Sequence, residues 1–168
     1  TIAELRTVVA AAITEFNTSP TMKAIIDYAN SNASPLPTVL DYNAAGVNLV
    51  DAATLDAVNA IVDSLLGADV SSADKVGTLV YNLFVALGRI VAYVSSPTVE
   101  VAPSINDYRA AGLVAIDANS VSAMNAVISG LTATDVDSTA KLAALLQKIL
   151  AAAAAQQNSQ VVDQAPSP

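Results

Sequence analysis

A chain of 168 residues without a single cysteine or histidine has no disulfide framework, no thiolate chemistry and none of the commonest metal ligand and general base. Its net charge of −8, with seven scattered cations (Arg6, Lys23, Lys75, Arg89, Arg109, Lys141 and Lys148), excludes a nucleic-acid surface, which needs clustered Lys and Arg to neutralise phosphate. Hydrophobic residues reach 54%, mostly Ala and Val with five Tyr, two Phe and no Trp, so the cores must be built of small side chains in close contact.

The first element, TIAELRTVVAAAITEF, places Leu5, Val8, Val9, Ala12, Ile13 and Phe16 on one helical stripe. The spacing is that of Val76, Leu79, Val80, Leu83, Phe84 and Leu87 further on, so residues 1–34 read as the last helix or helices of a preceding repeat. Roughly six extra residues around Thr18, Ser19 and Pro20 predict a kink or loop before Ile25, Ile26 and Tyr28 resume the pattern of Ile90, Val91 and Tyr93.

From Pro37 the chain repeats itself without a gap at a spacing of 66 residues: Pro37 to Val80 lies over Pro103 to Leu146, with 17 of 44 positions identical. Among them are Asp41/Asp107, Tyr42/Tyr108, Gly46/Gly112, Asp51/Asp117, Asn59/Asn125, Asp69/Asp135 and Lys75/Lys141. Self-similarity at a fixed period marks an array of supersecondary units. Residues 35–102 form one complete repeat with its linker, 103–158 a second, and 159–168 a linker opening a further one, because Asp163 to Ser167 echo Glu100 to Ser104. The partial copies at both ends read as a window on a longer array.

Each repeat parses into three helices. A short one from about Thr38 to Ala45 ends at Gly46, a residue free to take the left-handed C-cap conformation, and Gly112 repeats the device. Asp51 and Asp117 stand where an N-cap belongs, opening a second helix with the apolar face Leu55, Val58, Ile61, Val62 and Leu65, or Val121, Met124, Val127, Ile128 and Leu131. After a turn with Ser71/Ser72 or Asp137/Ser138 as caps, a third helix runs from about Ser72 to Val94. Its counterpart carries Leu142, Leu145, Leu146, Ile149 and Leu150 and then dissolves into AAAAAQQNSQ. A unit of this size owns a core worth only ~3–5 kcal/mol, so neighbouring repeats are expected to lean on each other. The fold class is therefore all-α, tandem three-helix-bundle repeats in an elongated array.

The string DY-x-x-AGV, the following VDA-x-x-L-x-AVNA-x-V, the DVDST-type turn and the K-x-x-x-LL helix resemble the Ala/Val-rich helical tandem repeats of very large secreted adhesins and surface proteins of Gram-negative bacteria. More loosely, the order of short helix, Gly-Val, helix, turn and helix is similar to the albumin-binding three-helix module of bacterial surface proteins, whose binding surface does not match here residue by residue. The resemblance implies a secreted or cell-surface bacterial location and a part in adhesion or biofilm.

Chemistry finds little support. Asp135 and Asp137 lack the alternate oxygen ligands, Gly and terminal Glu of a calcium loop, and capping explains them better. Asp41, Asp51 and Asp69 sit at helix starts and turns, not as an acid/base pair in a cleft. The dispersed glycines form no phosphate loop, and no serine has a histidine to activate it. No catalysis and no metal or cofactor are expected, no signal peptide or membrane span is visible, and the partners are neighbouring repeats, further copies or a protein ligand. Gly77 and Gly88 would let another helix approach the third helix closely. Two functions remain: a structural or adhesive spacer and contact array, or a dedicated module binding a host protein or a hydrophobic small molecule. Phe84, Leu87, Ile90, Val91 and Tyr93 form the candidate contact surface, since an array buries large apolar residues and a binding groove leaves them open.

Overall fold

The computed structural model describes residues 1–17, 20–31 and 35–163, and their side chains outside 10–21 and 157–163. It is all-helical, with eight α-helices and no strand among the described residues: α1 (Ile2–Asn17), α2 (Pro20–Asn30), α3 (Val39–Ala44), α4 (Leu55–Asp63), α5 (Ala73–Ser95), α6 (Ile105–Ala110), α7 (Ala118–Ile128) and α8 (Thr139–Asp163). A single 3₁₀ turn, Ala133–Asp135, precedes α8. The expected break around Thr18, Ser19 and Pro20 separates α1 from α2, with Thr18 and Ser19 outside the described residues, as are the side chains of Ala12, Ile13 and Phe16.

The chain divides into two compact units, Thr1–Val85 and Ala86–Pro168. The division falls inside α5, not at the linkers that bound 35–102 and 103–158. Unit 1 holds α1 to α4 and the early part of α5, and unit 2 the late part of α5 and α6 to α8. In unit 1, α2 packs on α3 and α4, and Met22, Ile25, Tyr42, Val58, Val62, Val76, Val80 and Leu83 are buried. In unit 2 one core joins Ile90, Tyr93 and Val94 of α5 to Tyr108 and Ala111 of α6, Met124 and Ile128 of α7, and Leu142 and Leu146 of α8. Ile25/Ile90 and Tyr28/Tyr93, paired in the sequence, are buried alike.

The short helices are held by local bonds at both ends. Thr38 caps α3 and Ser104 caps α6, each hydroxyl accepting the N–H of the Asp three residues on while that carboxylate accepts the cap's own N–H at 2.8 Å. At the other end Gly46 (φ 87°) and Gly112 (φ 94°) take the left-handed conformation. The amides of Val47 and Leu113 then donate back to Tyr42 O and Tyr108 O at 2.9 and 3.0 Å, the six-to-one bond of a Schellman cap, and both side chains drop into the cores.

The structure differs from two of these expectations. Asp117 caps α7, accepting the Ser120 N–H at 2.7 Å, but Asp51 does not cap α4. Its carboxylate accepts Ala53 N–H and Thr54 N–H and the Thr54 hydroxyl, closing a separate turn, and the helix opens only after Thr54. Second, the Ala-rich segment does not dissolve: α8 continues to Asp163, two residues longer than α5, as unbranched Ala favours helix most strongly. The linker read at 159–168 is therefore helical as far as Asp163, and its last five residues lie outside the described ones. A Cβ at Gly77 or Gly88 would meet nothing within 4 Å, so among the described residues no other element approaches those glycines closely.

Candidate functional site

One buried chain of polar bonds recurs in the two units. Tyr42 Oη donates to Asn59 Oδ1 at 2.8 Å, and Asn59 Nδ2 donates to the carbonyl of Pro37 at 3.0 Å. Tyr108, Asn125 and Pro103 reproduce this chain at 2.7 and 3.0 Å. A ring buried in the core thus reaches the middle helix, whose amide fastens the linker that opens the short helix. Burial, then neighbouring tyrosines (Tyr28 and Tyr93) and the adjacent Asp41 and Asp107, pushes both phenols far above the ordinary tyrosine value. They are fixed donors, not acids.

Lys75 and Lys141 form a second recurring bond that reading the sequence missed. Each ammonium donates at 2.6 Å to a carbonyl seven residues back in the preceding turn, Ala68 O and Thr134 O. Their identity at the period was the available signal; the reach across a turn was not legible. Val50/Ile116 and Val70/Val136, unassigned in the helical pattern, are buried plugs supplied by loops.

Each unit also carries an open cleft at the same place, where the late half-helix meets the linker. In unit 1 it is about 410 Å³, lined by Lys23, Ala24, Asp27, Pro35, Leu36, Pro37 and Asp41. In unit 2 it is about 220 Å³, lined by Arg89, Ala92, Glu100 to Pro103 and Asp107. Two ion pairs flank these clefts, Lys23 with Asp27 in the first and Arg89 with Asp107 in the second, the latter at 3.0 Å. Partial burial pushes the Asp107 carboxyl up, but the Ser104 hydroxyl and amide bonds and the Arg89 guanidinium outweigh it and hold the group below its ordinary value.

The other carboxylates are committed in the same way. Bonds from the Thr54 hydroxyl and amide lower Asp51, the Ser120 amide and hydroxyl lower Asp117, and the Thr132 hydroxyl and amide lower Asp135. Asp137 pairs with Lys141 at 2.7 Å. Among the described residues no group of three or more carboxylates could hold a metal ion.

The candidate contact surface is split by its own helix. Ile90 and Tyr93 lie in the core of unit 2, Leu87 and Val91 pack half-buried against it, and Phe84 is 44% exposed. The apolar strip left on α5 is instead Tyr81, Phe84 and Val85, one helical turn apart and all in unit 1. Among the described residues α5 is the one helix long and apolar enough to cross a membrane, with mean hydropathy 1.5 over 18 residues. Compared with family models, curated proteins and solved structures, the chain matches none.

Proposed function

We propose that this chain is a non-catalytic segment of a tandem three-helix repeat array, serving as spacer and protein-contact module in a secreted or surface-attached bacterial protein of the adhesive or biofilm-forming kind. One observation carries the reading: the Tyr-Asn-Pro bonds, the capping box, the Gly cap and the Lys clamp recur in both units at one period. Bonds spent on repeating an architecture serve spacing. We read α5 as a core helix, since Val76, Val80, Leu83, Ala86, Ile90 and Val94 are buried in the two units and Asp74, Lys75 and Arg89 punctuate it. Deleting one period, residues 37–102, joins α2 to α6 and should leave a chain that still folds cooperatively by circular dichroism and melting. An unfolded product would sink the array reading. The exposed Tyr81, Phe84 and Val85 favour a second reading, a module binding a protein or a hydrophobic small molecule. Micromolar binding in a screen of extracellular proteins, lost on Phe84→Ser, would make it the better one.

A further inference from the structure

The first turns of α1 carry an apolar face that no described residue of unit 1 covers: Leu5 is 65% exposed and Val9 48%. In the register of the shared apolar stripe, which lays Leu5 over Val76 once the extra residues before α2 are allowed for, these positions correspond to Val76 and Val80 of α5, both 0% exposed, and to Leu142 and Leu146 of α8, 0% and 7%. The same local bond recurs in that register, for the Thr1 hydroxyl accepts the Glu4 N–H at 3.3 Å as the Ser72 hydroxyl accepts the Lys75 N–H at 3.4 Å. Unit 2 shows what buries such a face: α7 packs on α8, with Met124 and Ile128 in one core with Leu142 and Leu146. The same chemical face therefore occurs three times, twice covered and once bare.

We propose that the Leu5–Val9 face of α1 is the seat of a further short-helix and middle-helix segment of this repeat type, of the kind formed by residues 38–63, joined ahead of α1 as Ser71 and Ser72 join α4 to α5. This rests on the array reading and names the partner it requires. One difference marks the seat: Glu4 stands where Lys75 and Lys141 clamp a turn carbonyl, so that bond is absent at this junction.

The test appends a copy of residues 20–71 directly before Thr1 of the full chain and follows amide hydrogen exchange of residues 2–9. Covering the face should slow exchange there by roughly tenfold or more relative to the parent chain, since exposed helix ends open at almost no cost. Leu5→Asp with Val9→Asp should leave the parent's melting unchanged but abolish the slowing in the extended chain, and Glu4→Lys should slow it further. If the appended α3 and α4 copy is itself protected while residues 2–9 exchange as before, the inference is overturned and the array reading stands. Failure of the chain lacking 37–102 to fold strikes the array reading instead. A parent dimer by light scattering that Leu5→Asp dissolves would also overturn the inference, by showing that a second copy takes the seat.

Discussion

At the scale of single residues, the recurring Tyr-Asn pair decides more than its size suggests. Tyr42 is fully buried, and its hydroxyl is the partner of an Asn59 oxygen that is itself out of water. Tyr42→Phe keeps the ring and strands that oxygen, which should cost about 1–3 kcal/mol of unfolding free energy in urea. Asn59→Ala should cost at least as much, because it also frees the Pro37 carbonyl. The double variant should fall well short of the sum, as members of one network do, and strict additivity would show the bond contributes nothing. Both residues were legible from the period as architecture. The bond between them was not, because a 17-residue separation specifies neither distance nor direction.

At the scale of elements, caps were the most legible feature and also the place where two copies parted. Thr38/Asp41 and Ser104/Asp107 form capping boxes, while the shared Asp51/Asp117 signal has two outcomes. Thr54 and Ser120 both bond the carboxylate through amide and hydroxyl, yet the Asp51 turn closes ahead of α4, which opens after Thr54, while Asp117 caps α7 directly. Asp117→Ala should therefore lower the melting temperature by a few degrees with loss of helix protection in α7. Asp51→Ala should loosen the 51–54 turn and spare α4, a contrast that hydrogen exchange resolves. The core face of the middle helices was less fully legible. Val127 stands 40% exposed although its spacing puts it with Met124 and Ile128, because a stripe fixes a face but not how far the neighbouring elements extend over it.

These caps also set the response to pH. Asp51, Asp107, Asp117 and Asp135 titrate lower in the folded chain than in the unfolded one, where an aspartate sits at about 3.9. Above that value both states are ionised and the stabilisation is complete. As pH falls through about 4 the unfolded chain takes up protons first, so stability is lost progressively. Tyr42 and Tyr108 act at the other end with the opposite sign. Their phenols stay protonated in the fold while the unfolded chain ionises near ~10, so stability declines above that pH. Urea midpoints across the pH range should trace a plateau bounded on both sides. The alkaline slope should shrink in Tyr42→Phe/Tyr108→Phe, and an unchanged slope would mean other groups cause it.

At the scale of the whole molecule, the division of labour within α5 is the decisive feature. Its early side chains Val76, Val80 and Leu83 belong to the core of unit 1, and Ile90, Tyr93 and Val94 to that of unit 2. All-helical architecture and a repeat of fixed period could be read from apolar stripes and punctuation. The boundary between units could not, since a helix without a breaker gives no sign of where one core yields to the next. Ile90→Ser removes a fully buried side chain and puts a hydroxyl among Tyr108, Ala111 and their neighbours in unit 2 alone. Emptying a large core site costs about 2–5 kcal/mol, and an unsatisfied hydroxyl adds to it. The variant should melt in two steps, with the amides of α6 to α8 losing protection at the lower temperature and those of α2 to α4 near the original one. A single transition at the parent temperature would show that Ile90 is not a core residue. One transition shifted downward as a whole would show instead that the coupling between the two cores outweighs the loss in unit 2, so that they unfold together.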